Sequence, residues 1–440
     1  MSKKKKAKKA GSLKRFQIRT SKKNLSSNAG LAVIQRFWQQ LGGEAWLNRE
    51  LGFLKADNSV YSLGRIITIL LLSVFQGAKR ISHTARLARD NGLRKLWDWV
   101  NFPVETTIIR TLNLFRQAQV IKFADMNQNL RQKVWDRKWF GKITLDLDST
   151  AKTVYGHQQG AELGYNPHNK GKKCLNPIIA TIFQTKEVVL GWLRPGNTFS
   201  ANGSVEFLKE TLARLPKQIW KIVVRADSAF FSNAFLLLLE SLGLQYVIKA
   251  KFKGWERWLL GQAQWRFSGP ERWTTQFAAK LPGWQKERTF MAVKVFKEWG
   301  DGGFLGPFPI YEYQLWVTDL RLSPNKLEDF YNQRVTCENI IDQGKNQTGW
   351  GGMLTQNFWT NDLLFQIALL AYNLMVWFKL RFLPEGEQTQ EIETFRQRII
   401  YTAGQIVFTG NQWYLDLGAN NPEQEWWLQV GDRQLSVQPF

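Results

Sequence analysis

Four residues with charged or phenolic side chains are regularly spaced between positions 331 and 345. They are Tyr331, Arg334, Glu338 and Lys345. An α-helix turns about 100° per residue, so Glu338 and Lys345 return to nearly the azimuth of Tyr331, and Arg334 lies within about 60° of it. A carboxylate flanked by two cations suits a metal ion together with phosphate groups, because the cations complement phosphate oxygens. The alternative is a solvated helix face with ion pairs three and four residues apart.

Two aspartates stand at the ends of predicted strands upstream of this segment. Residues 142–149 alternate apolar with polar side chains and contain Asp148. The β-branched run 220–227 ends at Asp227. Phosphoryl transfer by two metal ions needs carboxylates that converge from different elements, so that the attacking and leaving oxygens are clamped in line. Because rigid strand ends can fix such ligands, Asp148 and Asp227 are candidates.

The pattern leaves other carboxylates open as ligands. Asp146 lies two residues before Asp148, so both side chains point to one face of a strand. Asp342 lies one helical turn after Glu338 and shares its face. Aspartates at strand ends also often cap the next turn without binding metal. The residues alone therefore leave the ligand set undecided.

The spacing Tyr-x2-Arg-x3-Glu-x6-Lys resembles the signature of a large group of DDE transposases from bacterial insertion sequences. The resemblance extends from about residue 31 to residue 381. Further matching segments are Asp148-Ser-Thr150, Leu193-Arg-Pro-Gly-Asn197, Arg225-Ala-Asp-Ser228 and Ala371-Tyr-Asn-Leu374. The Asp-Ser-Thr match favours Asp148 over Asp146.

The resemblance assigns roles to the spaced residues. It implies that Asp148, Asp227 and Glu338 form the catalytic triad of a ribonuclease-H-like domain and hold two Mg²⁺ ions, with Mn²⁺ as an alternative. Tyr331, Arg334 and Lys345 then hold the phosphates of the transposon end near the cut. The long stretch between the second and third carboxylates implies the β-rich insertion of the family.

The function implied is that of a cut-and-paste DNA transposase. It binds terminal inverted repeats, cleaves the element ends and joins them to target DNA by two-metal phosphoryl transfer, as a homodimer in a synaptic complex on double-stranded DNA. Two alternatives remain: a ribonuclease-H-like nuclease or resolvase without strand transfer, and a transposase-derived DNA-binding protein that is no longer catalytic. The intact triad argues against the second, because a pure binder needs no converging carboxylates.

Two further residues are candidates for DNA contacts. His157 lies in a glycine-rich polar loop, residues 155–171, that follows the first catalytic strand. Trp299 belongs to a Trp-rich stretch, and some relatives use an insertion tryptophan to stack on a flipped base. The sequence gives no reason to rank Trp299 above Trp284.

The charge of the chain predicts a polyanionic partner. The 440 residues carry a formal net charge of +24, and the first 23 residues hold eleven Lys and Arg side chains and no acid. The remainder is therefore also basic, and nucleic acid is the commonest partner of such a chain. Charge alone does not separate DNA from RNA or from an anionic membrane surface.

Cysteine usage and apolar runs indicate a protein of the cytoplasm. Only Cys174 and Cys337 are present, and the histidines show no zinc spacing. The most apolar segments, 66–75 and 363–378, are too short to span a bilayer, which predicts buried helices and no membrane partner. We therefore expect a cytoplasmic, nucleoid-associated protein of a prokaryotic cell.

The periodicities predict a multidomain chain of the α+β or α/β class. Three meander strands followed by helix–strand units suit a ribonuclease-H-like mixed sheet. The predicted organisation is a disordered basic arm (1–28), a helical DNA-binding or dimerisation region (29–138), a ribonuclease-H-like core (139–250 and 321–383), a separate β-rich Trp-containing insertion (251–320) and a C-terminal region (384–440).

Overall fold

Short, largely apolar segments fold the first part of the chain into helices. The computed structural model describes residues 23–135, 141–167, 169–198, 202–251, 254, 260–261, 263–301, 303, 306–352 and 354–436. The basic arm up to residue 22 lies outside these residues. The helices of this part are α1 (Leu31–Gln40), α2 (Gly43–Leu51), α3 (Leu63–Phe75), α4 (Thr84–Ala88), α5 (Asn91–Leu96), α6 (Glu105–Leu112) and α7 (Gln117–Trp135).

The helix α3 confirms the buried helix predicted over residues 66–75. All but one of its side chains are buried. Its first turn is capped by the Ser62 hydroxyl, which accepts a hydrogen bond from the Arg65 N–H. Such a cap satisfies a backbone donor that the helix itself leaves unpaired.

The predicted catalytic strands belong to one mixed sheet. The elements of this part are β2 (Lys142–Ser149), β3 (Lys152–Thr153), β4 (Glu162–Leu163), β5 (Lys173–Leu175), β6 (Ile178–Ile182), β7 (Val188–Trp192), α8 (Ser204–Ala213), β8 (Lys221–Ala226), α9 (Asn233–Ser241) and β9 (Gln245–Lys249); a two-residue strand, β1 (Leu25–Ser26), precedes them. Five strands lie in the order β7-β6-β2-β8-β9. β2 is parallel to β8 and β8 to β9, whereas β6 is antiparallel to β2 and to β7.

One predicted strand, residues 174–183, is two strands in the structure. Proline has no N–H for a ladder hydrogen bond, and Asn176-Pro177 falls between β5 and β6. β6 stays in the main sheet, while β5 joins β3 and β4 in a small three-stranded sheet. The glycine-rich loop after β2 is therefore partly ordered by strands.

The stretch 251–320 is rich in β-structure, but it is not a separate sheet. Its described strands are β10 (Arg266–Gly269), β11 (Arg272–Ala279), β12 (Arg288–Gly300) and β13 (Phe308–Thr318). β13 pairs antiparallel with β9, with Val317 opposite Ile248. Because β9 offers an open edge, the inserted strands extend the main sheet to nine strands within the described residues.

The two faces of the main sheet bury different helices. The remaining elements are α10 (Pro324–Asn332), α11 (Val335–Gln347), α12 (Phe358–Phe382), α13 (Ile392–Phe395), β14 (Gly404–Thr409), β15 (Gln412–Leu417) and α14 (Gln424–Ser436). Leu145 and Leu147 of β2 pack in one core with α8 and α9. The opposite face meets α11 and α12, whose apolar side chains share a second core with the N-terminal helices.

The helix α12 is longer than predicted. Among the described residues it is the one helix whose length and composition would allow it to cross a membrane, with 25 residues, and 94% of its most apolar window is buried inside the protein. The prediction of a segment too short to span counted only the apolar run. The helix begins five residues earlier, where Asn357 accepts a hydrogen bond from the Thr360 N–H and caps it.

The two ends of the described chain meet. Leu25 pairs with Gln405, so β1 joins β14 and β15 in a small antiparallel sheet. Trp427 and Val430 of α14 lie in the same core as α1 and α12. Residues 25–28 were predicted to belong to the disordered arm, and this was wrong for Leu25 and Ser26, because a partner strand near the C-terminus orders them.

Candidate active site

The register of two parallel strands decides how the upstream carboxylates are placed. Asp146 lies opposite Arg225, and Leu147 lies opposite Ala226. The next pair in this register is Asp148 with Asp227, at the point where β8 ends. Two strands therefore carry an opposite-charge pair followed, two residues later on the same face, by two like charges.

Asp146 forms a buried ion pair with Arg225. Its two oxygens accept hydrogen bonds of 2.6 and 2.8 Å from Nε and Nη2 of Arg225, and both side chains are almost wholly buried. The guanidinium lies between the rings of Phe183 and Phe330, 4.7 and 4.8 Å from their centroids. Burial raises the pKa of Asp146, and the hydrogen bonds and charge of Arg225 oppose that shift.

Arg334 joins Asp148 to Glu338. One terminal nitrogen lies 2.8 Å from Asp148 Oδ1, and the other lies 3.0 Å from Glu338 Oε1. Asp148 is 8% exposed, whereas the Glu338 side chain is 58% exposed in the first turn of α11. The Ser149 N–H also donates to Asp148 Oδ1 at 2.8 Å. The third candidate carboxylate thus meets the first through a shared cation.

The upstream carboxylates repel each other in a buried setting. Burial raises the pKa of Asp148 to about 6, against the charge of Arg334 and with added repulsion from Asp227 and Glu338. Burial likewise raises the pKa of Asp227, again against Arg334 and with repulsion from Glu338. Asp227 also accepts the Ala229 N–H at 3.1 Å. Such mutual repulsion marks a site that favours bound cations.

Tyr331 and Glu338 do not share one continuous helix, contrary to the sequence prediction. Tyr331 lies in α10 and Glu338 in α11, with Gln333 and Arg334 between them. The backbone there uses hydrogen bonds three residues apart, from Arg334 N to Tyr331 O and from Cys337 N to Arg334 O, which interrupt the α-helical ladder. The four side chains therefore come from two helices and from the tight turn between them, which contributes Arg334.

Tyr331 nevertheless faces the carboxylates. Its ring packs on Trp316 with centroids 5.7 Å apart, and it is 7% exposed. Burial is the main reason that its pKa is raised, and the negative charges of Asp227 and Asp148 add to the shift while Arg334 opposes it. The phenol is thus protonated and available as a donor beside the acids.

Lys345 binds the loop that follows Asp148. Its ammonium donates to the Thr150 hydroxyl and, at 3.1 Å, to Ala151 O. Burial lowers its pKa, while Asp148 and Asp342 oppose that shift. Asp342 itself is exposed and accepts a 2.7 Å hydrogen bond from Asn346. Lys345 therefore lies on the Asp148 side of α11, whereas Asp342 faces solvent.

A family comparison matches almost the whole chain. The family model described as transposase DDE domain group 1 matches residues 8–436. The chain belongs to this family of DDE transposases. It is therefore a DNA-transposing enzyme, as the resemblance implied. A search of the curated proteins found no match.

Solved transposase complexes resemble the chain distantly. A piggyBac transposase synaptic complex with hairpin DNA is 14% identical, with a TM-score of 0.47, over 85% of this chain and 79% of that chain. A Mos1 transposase paired-end complex with the left transposon end is 14% identical, with a TM-score of 0.18, over 37% of this chain and 56% of that chain. At such TM-scores the family match alone carries the assignment.

The transposase carries suitable donors for divalent metal ions, which DDE transposases use. Carboxylate oxygens are the ligands that Mg²⁺ and Mn²⁺ prefer. Burial raises the pKa values of Asp148 and Asp227 and repulsion from Glu338 adds to the shift, so a bound cation would stabilise both carboxylates. Within the described residues, however, no three Asp, Glu, His or Cys side chains are already grouped as a metal site. Arg334 supplies the positive charge between Asp148 and Glu338 instead.

The two other predicted DNA contacts are exposed. His157 is exposed in the loop between β3 and β4. Trp299 is 64% exposed and lies opposite Pro309 of β13. Pro309 is seven residues, or roughly 24 Å of strand, from Trp316, the residue on which Tyr331 packs. Trp284 instead packs on Phe231, a residue of the segment after Asp227, with ring centroids 5.6 Å apart. The structure therefore does not bring Trp299 to the carboxylates.

Sequence reasoning assigned no role to Arg225 or Lys152. The sequence contains a sign of the role of Arg225, because a single cation inside a buried β-branched run needs an acid opposite it on the neighbouring strand. Lys152 is buried, and burial together with nearby Lys345 lowers its pKa to about 7. It donates to Trp350 O, far along the chain, and its sequence surroundings give no sign of this contact.

Proposed function

We propose that the transposase moves its element by a cut-and-paste route, with Asp148, Asp227 and Glu338 as the catalytic carboxylates. The supporting observation is the like-charge pair that the strand register places at adjacent strand ends, with Glu338 joined to it through Arg334. A buried pair of like charges costs free energy, and such a cost is typical of sites that bind cations for catalysis.

A ribonuclease-H-like arrangement of the core fits this proposal. Numbered along the chain from β2, the strands β2, β6, β7, β8 and β9 lie in the order 3-2-1-4-5, with the first, fourth and fifth parallel. In that arrangement the carboxyl ends of the first and fourth strands are neighbours. The β-rich insertion then enters between the fifth strand and the helix that carries Glu338.

The side chains divide the work by their positions. Asp148, Asp227 and Glu338 would hold the divalent ions. Bound there, the ions would supply activation of the attacking oxygen and stabilisation of the leaving oxygen. Tyr331 would donate a hydrogen bond to a phosphate, and Arg334 has a buried Nε without a partner among the described residues, which a phosphate oxygen would satisfy. Lys345 would position the loop after Asp148.

The wider features of the proposal follow from this chemistry. The transposase would act on double-stranded DNA at terminal inverted repeats and then join the freed 3′-hydroxyl to target DNA. Two ends must be processed together, so we propose a homodimer that pairs them. We further propose a bacterial insertion sequence as the source, and the cytoplasm of a prokaryotic cell as the place of action.

The test uses DNA from both flanks of the gene, carrying any inverted repeats found there, with Mg²⁺ and a target plasmid. Asp148→Asn, Asp227→Asn and Glu338→Gln should each lower cleavage by about a thousandfold or more, since the ligands act as a unit. Binding should change little, because affinity comes mainly from phosphate contacts elsewhere. Asp342→Asn, an exposed carboxylate on the same helix, is the matched control and should cleave normally.

The outcome also separates the remaining functions. Target plasmids joined to element ends support a transposase that completes strand transfer. Cleavage without joined products would indicate a nuclease or resolvase, and tight binding without any cleavage by the unaltered chain would indicate a DNA-binding derivative. Full cleavage by Asp148→Asn would remove Asp148 from the catalytic set.

A further inference from the structure

A run of exposed cations lies just after α3. Lys79, Arg80, Arg86 and Arg89 are all exposed, and the segment 79–89 contains no acid. None of these four side chains forms an ion pair with a carboxylate of the described residues. An unpaired cation cluster of this kind, here named the 79–89 surface, is suited to an extended anion.

One buried guanidinium fixes the 79–89 surface relative to the helix that carries Glu338. Arg396 is 2% exposed and donates to Phe75 O and Val74 O, both at 2.9 Å, at the end of α3. It also donates to Gln347 O, at the last residue of α11. The chain leaving α3 and the end of the active-site helix are thus held by a single side chain.

The loop after α11 makes a second connection. A Cβ atom on Gly352 would come within 2.5 Å of Lys79 O, so the two backbones are in close contact there. In the same loop, Trp350 O accepts a hydrogen bond from Lys152, close behind the first catalytic strand. The 79–89 surface therefore continues from the Lys345 side of the candidate active site.

A cavity in this surface offers hydrogen-bond donors. It has a volume of about 380 Å³. Its lining residues are Ser27, Asn28, Gln76, Arg86, Arg89 and Tyr401. The two guanidinium groups are well suited to phosphate oxygens, whereas the Tyr401 hydroxyl already donates to Gln76 O.

We propose that the 79–89 surface binds the sugar–phosphate backbone of the duplex whose end lies in the active site. This rests on the proposed function. The contact is independent of base sequence, because these cations recognise phosphates. A membrane surface fits less well, since an interfacial helix must expose large apolar side chains. Both large apolar residues of the segment, Ile81 and Leu87, are buried, at 6% and 0% exposure.

The experiment compares two double variants of the full chain. Arg86→Ala/Arg89→Ala removes two cations from the surface. Lys209→Ala/Lys217→Ala is the control and removes two exposed cations on or just after α8, which covers the opposite face of the sheet. Binding to a 30-bp duplex of arbitrary sequence is measured at several salt concentrations, and cleavage of flank DNA is measured separately.

The surface variant should reduce the slope of log K against log salt by about 1.8, because each phosphate that a cation neutralises contributes about 0.9 to that slope. The control should reduce it clearly less. Equal slopes in the two variants would overturn the proposal, and Arg86→Lys/Arg89→Lys should restore the slope if the charges rather than the fold are responsible. Loss of binding to vesicles with anionic lipid, with DNA binding unchanged, would overturn it in favour of a membrane.

These outcomes are independent of the catalytic proposal. If the unaltered chain binds duplex but never cleaves flank DNA, the proposed function is wrong, and the slope comparison still tests the 79–89 surface. Normal cleavage together with equal slopes removes only the 79–89 surface.

Discussion

At the scale of single residues, the site depends on two aspartates that differ only in their partners. Asp146 and Asp148 point to the same face of β2. Asp146 pairs with Arg225 of β8, and the same register continued by two residues brings Asp148 opposite Asp227, just after β8. Asp146 meets a cation, so its charge is neutralised internally. Asp148 meets another acid, so its charge remains available for a cation from outside, although Arg334 offsets part of it.

This difference predicts unequal effects on stability. Asp146→Asn leaves Arg225 buried without its counter-charge, which should lower the free energy of unfolding by about 3–5 kcal/mol. Asp148→Asn should cost clearly less, because Arg334 keeps its ion pair with Glu338 and the repulsion between Asp148 and Asp227 is removed. Chemical denaturation of both variants at pH 8 is the measurement. Equal losses would mean that the two aspartates are both structural.

Sequence patterns separate these two residues only in part. The alternation of β2 shows that both face the same way, and the family resemblance favours Asp148. The decisive fact is the register between β2 and β8, which are separated along the chain by several strands and a helix. Register across such a distance depends on packing of the whole sheet, which local periodicity does not contain.

A second residue-scale prediction concerns Asp362 of α12. Burial raises its pKa to about 7, against a hydrogen bond from Gln366. Asp362 has a higher pKa in the folded chain than its value near 3.8 in the unfolded chain. Its contribution to the free energy of unfolding is therefore complete below pH 3.8 and is lost as the pH rises to about 7. Asp362→Asn should therefore stabilise the protein at pH 8 by up to about 4 kcal/mol relative to its effect at pH 4. Denaturant unfolding at both pH values checks this; a pH-independent difference would contradict it.

At the scale of elements, α11, the helix that carries Glu338, is shaped by its ends. The sequence predicts that Tyr331 and Glu338 lie on one face of one helix, and it does not reveal the turn between α10 and α11. In that turn Gln333 and Arg334 still have right-handed helical dihedrals, so the backbone conformation hardly changes. Only the change in hydrogen-bond partners separates the two helices. Such a change depends on what each helix packs against, and these contacts come from distant strands.

The other end of α11 should be sensitive to a single methyl group. A Cβ on Gly344 would overlap the ring of Trp350, which is 2% exposed. Gly344→Ala should lower the free energy of unfolding by about 1–3 kcal/mol, the usual cost of overpacking. Gly386→Ala is the control, since nothing lies within 4 Å of its Cβ position. Thermal unfolding compares them, and equal melting temperatures would show that Trp350 moves aside freely.

At the scale of the whole molecule, the predicted domains share their cores. The helical region, α12 and the C-terminal α14 bury side chains together, and β13 extends the main sheet through β9. The sequence predicts helical and β-rich stretches, since composition and period are local properties. It did not show that they fuse, because the surfaces that join them are made by residues far apart in the chain.

The last prediction concerns the basic arm, whose charge is known from sequence alone. Deleting residues 2–23 removes eleven of the cations and leaves a formal net charge of +13. Binding should weaken on every DNA sequence, and its salt slope should shrink by at most about 10. Cleavage at saturating DNA should stay normal, because the carboxylate cluster is untouched.

Arg334→Ala provides the contrast to the arm deletion. It removes the cation shared by Asp148 and Glu338, so cleavage should fall strongly while affinity falls little. Both variants are assayed for affinity and cleavage rate at two salt concentrations. Parallel losses of binding and cleavage in Arg334→Ala would reduce Arg334 to one basic contact among many. For the arm deletion, a loss of affinity for some DNA sequences and not for others would show that the arm contacts bases. The charge of a lysine-rich segment alone does not explain such a preference.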